Sequence, residues 1–359
     1  MRPGGAFLAL CVALTATELG GADPTALAAG APPAGPGAVA VAPAAVPAVP
    51  LRAIRLSASG GGIGFDDLAF SRQLRKVLVP AGGSGRIDLV DPDSFEVTSM
   101  VRGASTAYAG GHDDGITSAD SDGARVFAID RTSRRVLVVN PKTGALMGSA
   151  SLGGHPDYVR WVGATHELWV AEPHEERIEV FSLGTDNAPR ATGQLRVPGG
   201  PESLVIEETG TRAFTHLWNG STLAIDVRRR SILARWPNGC RGSRGIALDE
   251  RGGILFAACA EGKLVALDAN HDGRKLGSVT TGGGVDVIAY NATLRHVYVP
   301  AADSAEMTVV SVTAAGELRI DRVVPTVRGA HCVAADDRGH AWVCDPVHGQ
   351  LLLLGDTRA

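Results

Sequence analysis

The chain has 359 residues, of which 45% are hydrophobic and 20% are charged, and its formal net charge is −4. This balance is ordinary for a globular protein with a sizeable core, and it excludes disorder over the body of the chain. It gives no support to nucleic-acid binding, because the one basic run, at residues 228–230, is predicted to be a solvated hairpin tip.

The first fifty residues differ in composition from the rest. Arg2 precedes an uncharged apolar stretch at 6–16 that is too short to span a bilayer, and residues 26–28 fit the small-x-small pattern of a signal-peptidase site. We predict a signal peptide at 1–28 and a stiff Ala/Pro-rich linker at 29–50. The expected location is the periplasm or the cell exterior, with no transmembrane segment.

From residue 51 onward one sequence motif recurs seven times. It consists of a Gly-rich turn, a short apolar strand, a polar turn and a strand ending in an aromatic residue and Val, as at 168–172, 297–300 and 341–345. The copies align at intervals of 41 to 48 residues. Because four short strands in about 40 to 50 residues are typical of a propeller blade, the sequence predicts an all-β, seven-bladed β-propeller with four-stranded antiparallel blades over 51–359.

The last copy has three predicted strands, at 332–336, 341–345 and 350–354, which would leave an open outer edge. An unpaired edge strand is an aggregation hazard. Residues 51–56 alternate between polar and apolar side chains, as a strand does. We therefore predict that this N-terminal segment is the outer strand of the seventh blade and closes the ring.

The ends of the second strands, together with third strands of the form Gly-x-Val-x-Val-x-Asp/Asn-Pro, resemble the YVTN repeat. This repeat occurs in bacterial surface-layer and periplasmic seven-bladed propellers, which are similar in shape to the haem d1 domain of nitrite reductases. The resemblance covers 51–355. Its motifs are structural, so it implies the blade and no chemistry. The chain departs from the pattern at 213–216 and at the cysteines of blades five and seven.

Charged side chains recur at the start of the first strand of the blades. In a propeller these positions open on one face, so we expect them to converge on a funnel. The aligned residues are Asp66, Asp114, Asp157, Glu202, Arg244, Val285 followed by Asp286, and His331, with His112 and His155 two residues before the aligned position in blades two and three.

Like charges that lie close together require a cation, a proton or an arginine to offset them. The ring therefore predicts a site for a small polar ligand, a cation or a protein partner, with a divalent metal ion at His112, His155 and His331 as one version. In the structural alternative, the acidic residues bond to backbone N–H groups of the neighbouring blade and Arg244 is their counter-charge. Both interpretations stay open from the sequence.

Four cysteines follow the predicted signal peptide, an even number in an exported protein. Cys240 and Cys332 lie near the starts of first strands, and Cys259 and Cys344 lie at the ends of the adjacent second strands. Antiparallel pairing brings such positions together, so we predict the disulfides Cys240–Cys259 and Cys332–Cys344. The alternative is a copper or zinc site formed by His331, Cys332 and Cys344.

Two further patterns receive structural interpretations. Residues 268–273 begin like a calcium-binding loop, but position twelve is not Glu and no helices flank it, so we predict a turn between strands. The tryptophans fall on or beside predicted inner strands and are expected to pack between blades. They are Trp161, Trp169, Trp218 and Trp342.

These features favour a monomeric, non-enzymatic exported protein that acts as a binding module or scaffold. The alternative is a metal-assisted hydrolase or lyase, since propellers similar to gluconolactonases and streptogramin lyases hold a divalent cation at the same mouth. Asp157 or Glu202 would then be a metal ligand and a histidine the acid or base. A third hypothesis, association with haem or another redox cofactor, rests on similarity to the haem d1 domain.

Overall fold

The structure, a computed structural model, describes residues 51–56 and 62–356. In these two ranges, 28 strands form seven four-stranded antiparallel sheets and no helix occurs. The predicted seven-bladed β-propeller is therefore confirmed. Consistent with this all-β fold, the described part of the chain has no helix that is long and apolar enough to cross a membrane. The predicted signal peptide and linker lie outside the described residues.

Strands are labelled β1 to β28 in chain order, and each blade is described from the axis outward. The strands of the first four blades each follow one another directly in the chain. They are β2 (Ala69–Ser71), β3 (Lys76–Pro80), β4 (Arg86–Val90), β5 (Val97–Val101); β6 (Ile116–Ser121), β7 (Val126–Asp130), β8 (Arg135–Val139), β9 (Leu146–Ser151); β10 (Tyr158–Val162), β11 (Glu167–Glu172), β12 (Arg177–Leu183), β13 (Pro189–Arg196); β14 (Val205–Ile206), β15 (Arg212–Leu217), β16 (Ser221–Asp226) and β17 (Ser231–Pro237).

The fifth and sixth blades follow the same plan, and the seventh combines the two ends of the described chain. Their strands are β18 (Ser243–Asp249), β19 (Ile254–Cys259), β20 (Lys263–Asp268), β21 (Arg274–Thr280); β22 (Ala289–Asn291), β23 (His296–Ala301), β24 (Glu306–Val312), β25 (Leu318–Pro325); β26 (Val333–Ala335), β27 (His340–Asp345), β28 (Gln350–Gly355) and β1 (Arg52–Arg55).

The second strand of a blade is typically buried along its whole length, as in β7, β11 and β19. Each sheet packs face to face against two neighbouring sheets, so both faces of this strand are in the core and its sequence reads as an apolar run. The described residues contain seven hydrophobic clusters, each of which joins two adjacent blades. Trp169 and Trp342 are fully buried in two of them, as predicted.

Because consecutive strands run antiparallel, the turns of a blade alternate between two faces. The starts of the first strands and the turns between the second and third strands share one face, which we call the funnel face. The turns between the first and second strands lie on the opposite face. Residues near the funnel face can therefore approach one another although they are distant in the chain.

The seventh blade is closed by the N-terminal strand, as predicted. Strand β1 pairs with β28 in antiparallel register, with Arg52 opposite Leu353 and Arg55 opposite Gln350. Ile54 and the following Leu56 are buried in the cluster between blades seven and one. Closure therefore stabilises the ring through both hydrogen bonds and apolar burial.

Both predicted disulfides are present. Cys240 is bonded to Cys259 and Cys332 is bonded to Cys344, with Cα–Cα distances of 5.2 and 5.6 Å. Each disulfide joins the region where an inner strand begins to the end of the strand beside it.

We expect no free thiol in a protein that comprises residues 29–359, because all four cysteines of this range are paired. Titration of the denatured, unreduced protein with a thiol reagent checks this, and the reduced protein, which should give four thiols, is the control. A count of two free thiols before reduction would show that one disulfide is absent, and a count of four would show that both are absent.

Candidate functional site

The strand register identifies the ring position of each blade. A large side chain in the second strand lies opposite a defined residue of the inner strand, for example Trp169 opposite Arg160 and Tyr298 opposite Ala289. The residue three positions before that inner-strand residue lies near the funnel face. In blade order these residues are Asp66, Thr117, Asp157, Glu202, Arg244, Asp286 and His331.

Two blades depart from the sequence alignment. Asp114 was aligned three residues too early, because the connection into β6 is longer than in the other blades and a β-bulge shifts the register between Ile116 and Ser118. Asp114 lies exposed on the rim, where it accepts a hydrogen bond from Thr132 Oγ1 at 3.3 Å. In blade six Asp286 takes the ring position that the alignment gave to Val285, which is buried in a hydrophobic cluster.

Six of the seven ring residues, all except Thr117, line two neighbouring cavities on the funnel face. The larger, which we call the funnel, has a volume of about 650 Å³ and is lined by Asp66, His112, Asp113, Asp114, Arg131, Thr132, Arg134, His155, Asp157, Tyr158, Pro173, His174, Glu202, Trp218, Arg244 and Asp286. The side cavity, of about 330 Å³, shares His112, Arg244 and Asp286 with the funnel and adds His331. The structure thus brings together the residues singled out in the sequence, with His331 in the side cavity.

A second ring of lining residues was missed in the sequence. These residues directly follow the second strand of a blade: Arg131, Pro173 and Trp218 in the funnel, and Ala260, Ala302 and Pro346 in the side cavity. The prediction that Trp218 packs between blades is wrong, because 44% of this residue is exposed and it lines the funnel. Aligning the residue after each second strand would have found the set.

Two arginines offset part of the negative charge. Arg131 contacts the carboxylate of Asp157 and lies 3.8 Å from Asp66 Oδ2. Arg244 Nη1 donates to Glu202 Oε1 at 2.6 Å. Arg244 is therefore a counter-charge, as the structural alternative expected, and its partner is Glu202 of the neighbouring blade.

Burial and crowding hold protons on two carboxyl groups. Burial raises the pKa of Asp157 to about 8, with Asp66 and Asp286 adding to the effect and Arg131 opposing it. Burial likewise raises the pKa of Glu202 to about 9, with Asp157 and Asp286 adding to the effect and Arg244 opposing it. Both groups therefore carry protons for much of the time near neutral pH.

His112 lies between two carboxylates. Its Nδ1 is 3.2 Å from Asp66 Oδ2, and its Nε2 is 3.7 Å from Asp286 Oδ2. The charge of Asp66 raises the pKa of His112 to about 9, with burial opposing. Burial also raises the pKa of Asp66, but the charges of His112 and Arg131 outweigh it, so the pKa of Asp66 falls below its usual value.

His331 lies beside His112, with 4.8 Å between the ring centroids. His155 does not join this pair. Its Nδ1 lies 3.0 Å from Glu175 Oε1 and its Nε2 lies 2.5 Å from Arg134 Nη2, so both ring nitrogens have other partners. The structure therefore does not bring the three predicted metal-binding histidines together.

Two groups of residues in the described ranges have ligand atoms close enough for one metal ion. One group is His112, Asp286 and His331, and the other is His331, Cys332 and Cys344. The second group cannot supply thiolates while the disulfide Cys332–Cys344 is intact. The first group combines two imidazoles and a carboxylate, which is a common donor set for zinc.

Comparison with known proteins identifies the fold. No protein-family model matches the chain, and no curated protein matches it in sequence. It is similar to a chain in the crystal structure of the mitotic checkpoint complex (13% identity, 89% of this chain and 95% of that chain, TM-score 0.70). It is similar to the Myceliophteria thermophila Cps50 (Swd1) β-propeller domain (14%, 85% and 99%, TM-score 0.68) and to Kuenenia stuttgartiensis hydrazine synthase (13%, 82% and 96%, TM-score 0.67). At these identities the similarity shows a β-propeller scaffold, and YVTN-repeat membership stays a prediction.

Proposed function

We propose that the protein is an exported, non-enzymatic binding protein whose funnel takes a small cationic organic ligand. One observation carries the proposal: the residues that line the funnel include six carboxylates and three arginines. Near neutral pH the protons on Asp157 and Glu202 and the charge of His112 offset this excess of acidic groups. The cavity becomes negative as these groups lose protons, so it attracts cations in exchange for protons. Export and YVTN-repeat membership are parts of the same proposal, and they rest on the N-terminal sequence and the repeat.

The wall of the funnel also offers an aromatic surface. Trp218 is partly exposed, and the guanidinium carbon of Arg244 lies 5.7 Å from its ring centroid. An aromatic ring that attracts one cation can attract another, and quaternary ammonium groups bind in this way. A ligand with an ammonium group would therefore be held by Trp218 and by the carboxylates beside it.

Proton release would accompany binding. Glu202 carries a proton at neutral pH because burial raises its pKa to about 9. A bound cation stabilises the ionised carboxylate, so the ligand replaces a proton and its affinity rises as the pH rises toward 9.

We expect choline, whose charge does not change with pH, to bind more tightly at pH 9 than at pH 6. Glu202→Gln should weaken binding at pH 9 by about tenfold, the size of one charge interaction in a partly desolvated site, and should reduce the pH dependence. Titration calorimetry in two buffers of different ionisation enthalpy measures both the affinity and the released protons.

Glu317→Gln is the matched control, because it makes the same charge change at an exposed residue in the turn before β25, away from the funnel. Its affinity for choline should equal that of the unchanged protein. The proposal is wrong if affinity does not depend on pH and Glu202→Gln behaves like the control.

The alternative function, a metal-assisted hydrolase or lyase, requires a bound metal ion. The grouping of His112, Asp286 and His331 favours this alternative over association with a redox cofactor, because the group offers zinc-type ligands at the boundary of two cavities.

A further inference from the structure

We propose that His112, Asp286 and His331 bind one divalent transition-metal ion of the zinc class at the boundary between the funnel and the side cavity. This site goes beyond the binding of an organic cation. It uses no ligand atom of Glu202 or Trp218, so Glu202→Gln leaves all three metal ligands in place.

The first support is the spacing of the ligand atoms. Those of the three side chains all lie within 4.8 Å of one another, and His112 Nε2 is 3.7 Å from Asp286 Oδ2. Two ligands of a tetrahedral zinc ion are roughly 3.4 Å apart, given zinc–ligand distances near 2.1 Å. Small side-chain rotations would therefore complete the site, with no movement of the strands.

The second support is the way the imidazole rings are held. Metal-binding histidines donate the N–H of the other ring nitrogen to a carboxylate or a backbone carbonyl. His112 Nδ1 lies 3.2 Å from Asp66 Oδ2 as an ion-pair contact, and neither of these two buried atoms forms a hydrogen bond in this geometry among the described residues. His331 Nδ1 lies 2.6 Å from the carbonyl oxygen of Gly329. Both rings are thus oriented so that Nε2 is the nitrogen available to a metal ion, and on His112 the ion would replace the Nε2 proton.

The third support is a contact that a neutral His331 cannot satisfy. Its Nε2 lies 2.9 Å from the carbonyl oxygen of Phe65. A neutral imidazole has one N–H. When His331 Nδ1 donates it to the carbonyl oxygen of Gly329, the lone pair of Nε2 faces a lone pair of the Phe65 carbonyl oxygen. A cation beside these atoms removes the repulsion, and the Phe65 carbonyl oxygen is then close enough to act as an additional ligand. A doubly protonated His331 is the rival explanation.

The donor set selects the metal class. Two imidazoles and one carboxylate suit zinc and its neighbours better than calcium or magnesium, which prefer oxygen ligands. Three protein side chains leave a coordination position open. Because both cavities share His112 and Asp286, this position is accessible to a small molecule from the funnel face.

The test uses the chain with its disulfides intact, stripped with a chelator and titrated with Co²⁺ and with Zn²⁺. We expect one equivalent of Co²⁺ to bind and to produce visible d–d absorption without a thiolate charge-transfer band. His112→Ala and Asp286→Asn should each weaken metal binding at least tenfold, because each removes one of three ligands. Thermal unfolding of each variant checks that it folds. His331→Gln removes the third ligand and should also weaken metal binding.

His155→Ala is the matched control, since this histidine lines the same funnel but lies outside the group. It should leave metal affinity unchanged. The proposal is overturned if no metal binds, or if metal uptake is unchanged in both His112→Ala and Asp286→Asn. A thiolate charge-transfer band would also overturn it and would assign the metal to Cys332 and Cys344. If no metal binds, ¹⁵N NMR that finds both nitrogens of His331 protonated would explain its contact with Phe65.

The outcome separates this site from the proposed function. If the metal titration fails while choline binding still depends on Glu202, the metal site is wrong and the cationic-ligand proposal stands. If choline fails and the metal binds with the expected dependence on His112, the reverse holds.

Discussion

Deletion of residues 51–56 is expected to lower the free energy of unfolding of the propeller by about 3–6 kcal/mol. The segment contributes β1, and it buries Ile54 and Leu56 against Leu351 and Leu353. Full burial of an aliphatic side chain is worth about 1.5–3 kcal/mol, and the deletion also exposes the edge of β28. Because the ring closes through this strand, we expect one cooperative transition at lower denaturant concentration, measured by urea unfolding with two spectroscopic probes.

Two point variants separate closure from chain length. Ile54→Asp places a charge in the cluster between blades seven and one and should reproduce most of the loss. Arg55→Ala changes an exposed side chain of the same strand and should cost less than about 0.5 kcal/mol. An unchanged unfolding midpoint after deletion would show that β1 does not close the ring in solution.

Arg160→Met is expected to destabilise the propeller by about 3–5 kcal/mol, the range observed when one partner of a buried ion pair is removed. Arg160 forms two contacts with Asp67, at 2.6 and 3.0 Å, and donates to the carbonyl oxygen of Leu204 at 2.9 Å. Asp67 also accepts from Ser118 Oγ at 2.5 Å. Arg160 of blade three therefore connects blade one, through Asp67, with blade four, through Leu204, and Asp67 extends the network to Ser118 of blade two.

The loss should depend on pH. Burial raises the pKa of Asp67, and the charge of Arg160 opposes the rise. Without Arg160 the folded state holds a proton on Asp67 that the unfolded state releases above about pH 4, so stability falls as the pH rises. Urea unfolding should therefore show a larger loss at pH 8 than at pH 4.

The double variant Arg160→Met with Asp67→Asn removes both charges and should recover part of the stability. Arg190→Met breaks an exposed pair with Asp186 and should cost less than about 1 kcal/mol. A double variant as unstable as Arg160→Met, with no dependence on pH, would contradict the proposed role of this ion pair.

The strands could be predicted from the sequence because several independent constraints agree. β27 and β28 lie within one residue of the predicted bounds, 341–345 and 350–354, since burial on both faces requires an apolar run of fixed length between turns. Closure by β1 and both disulfides followed from the antiparallel order within a blade. In each case, a different register would have buried charges or separated the two sulfur atoms.

The connections could not be predicted in the same way. The segment before β6 lacks the periodic burial that fixes a strand, and the bulge beside it changes the count, so Asp114 was misplaced by three residues. Arg131 was missed, and Trp218 was wrongly predicted to pack between blades, because the turn after a second strand has no apolar pattern of its own. The separation of His155 from His112 depends on contacts with Glu175 and Arg134, which the repeat does not encode.

The closing pair of strands also determines how the protein can be held on a surface. β1 begins and β28 ends on the face opposite the funnel, because Arg52 lies beside Leu353 in an antiparallel pair. A resin, a lipid or a second protein joined at residue 51 would leave the funnel directed away from the attachment point. Immobilisation through this end should therefore preserve ligand access, whereas coupling through the turn that carries Trp218 should block it.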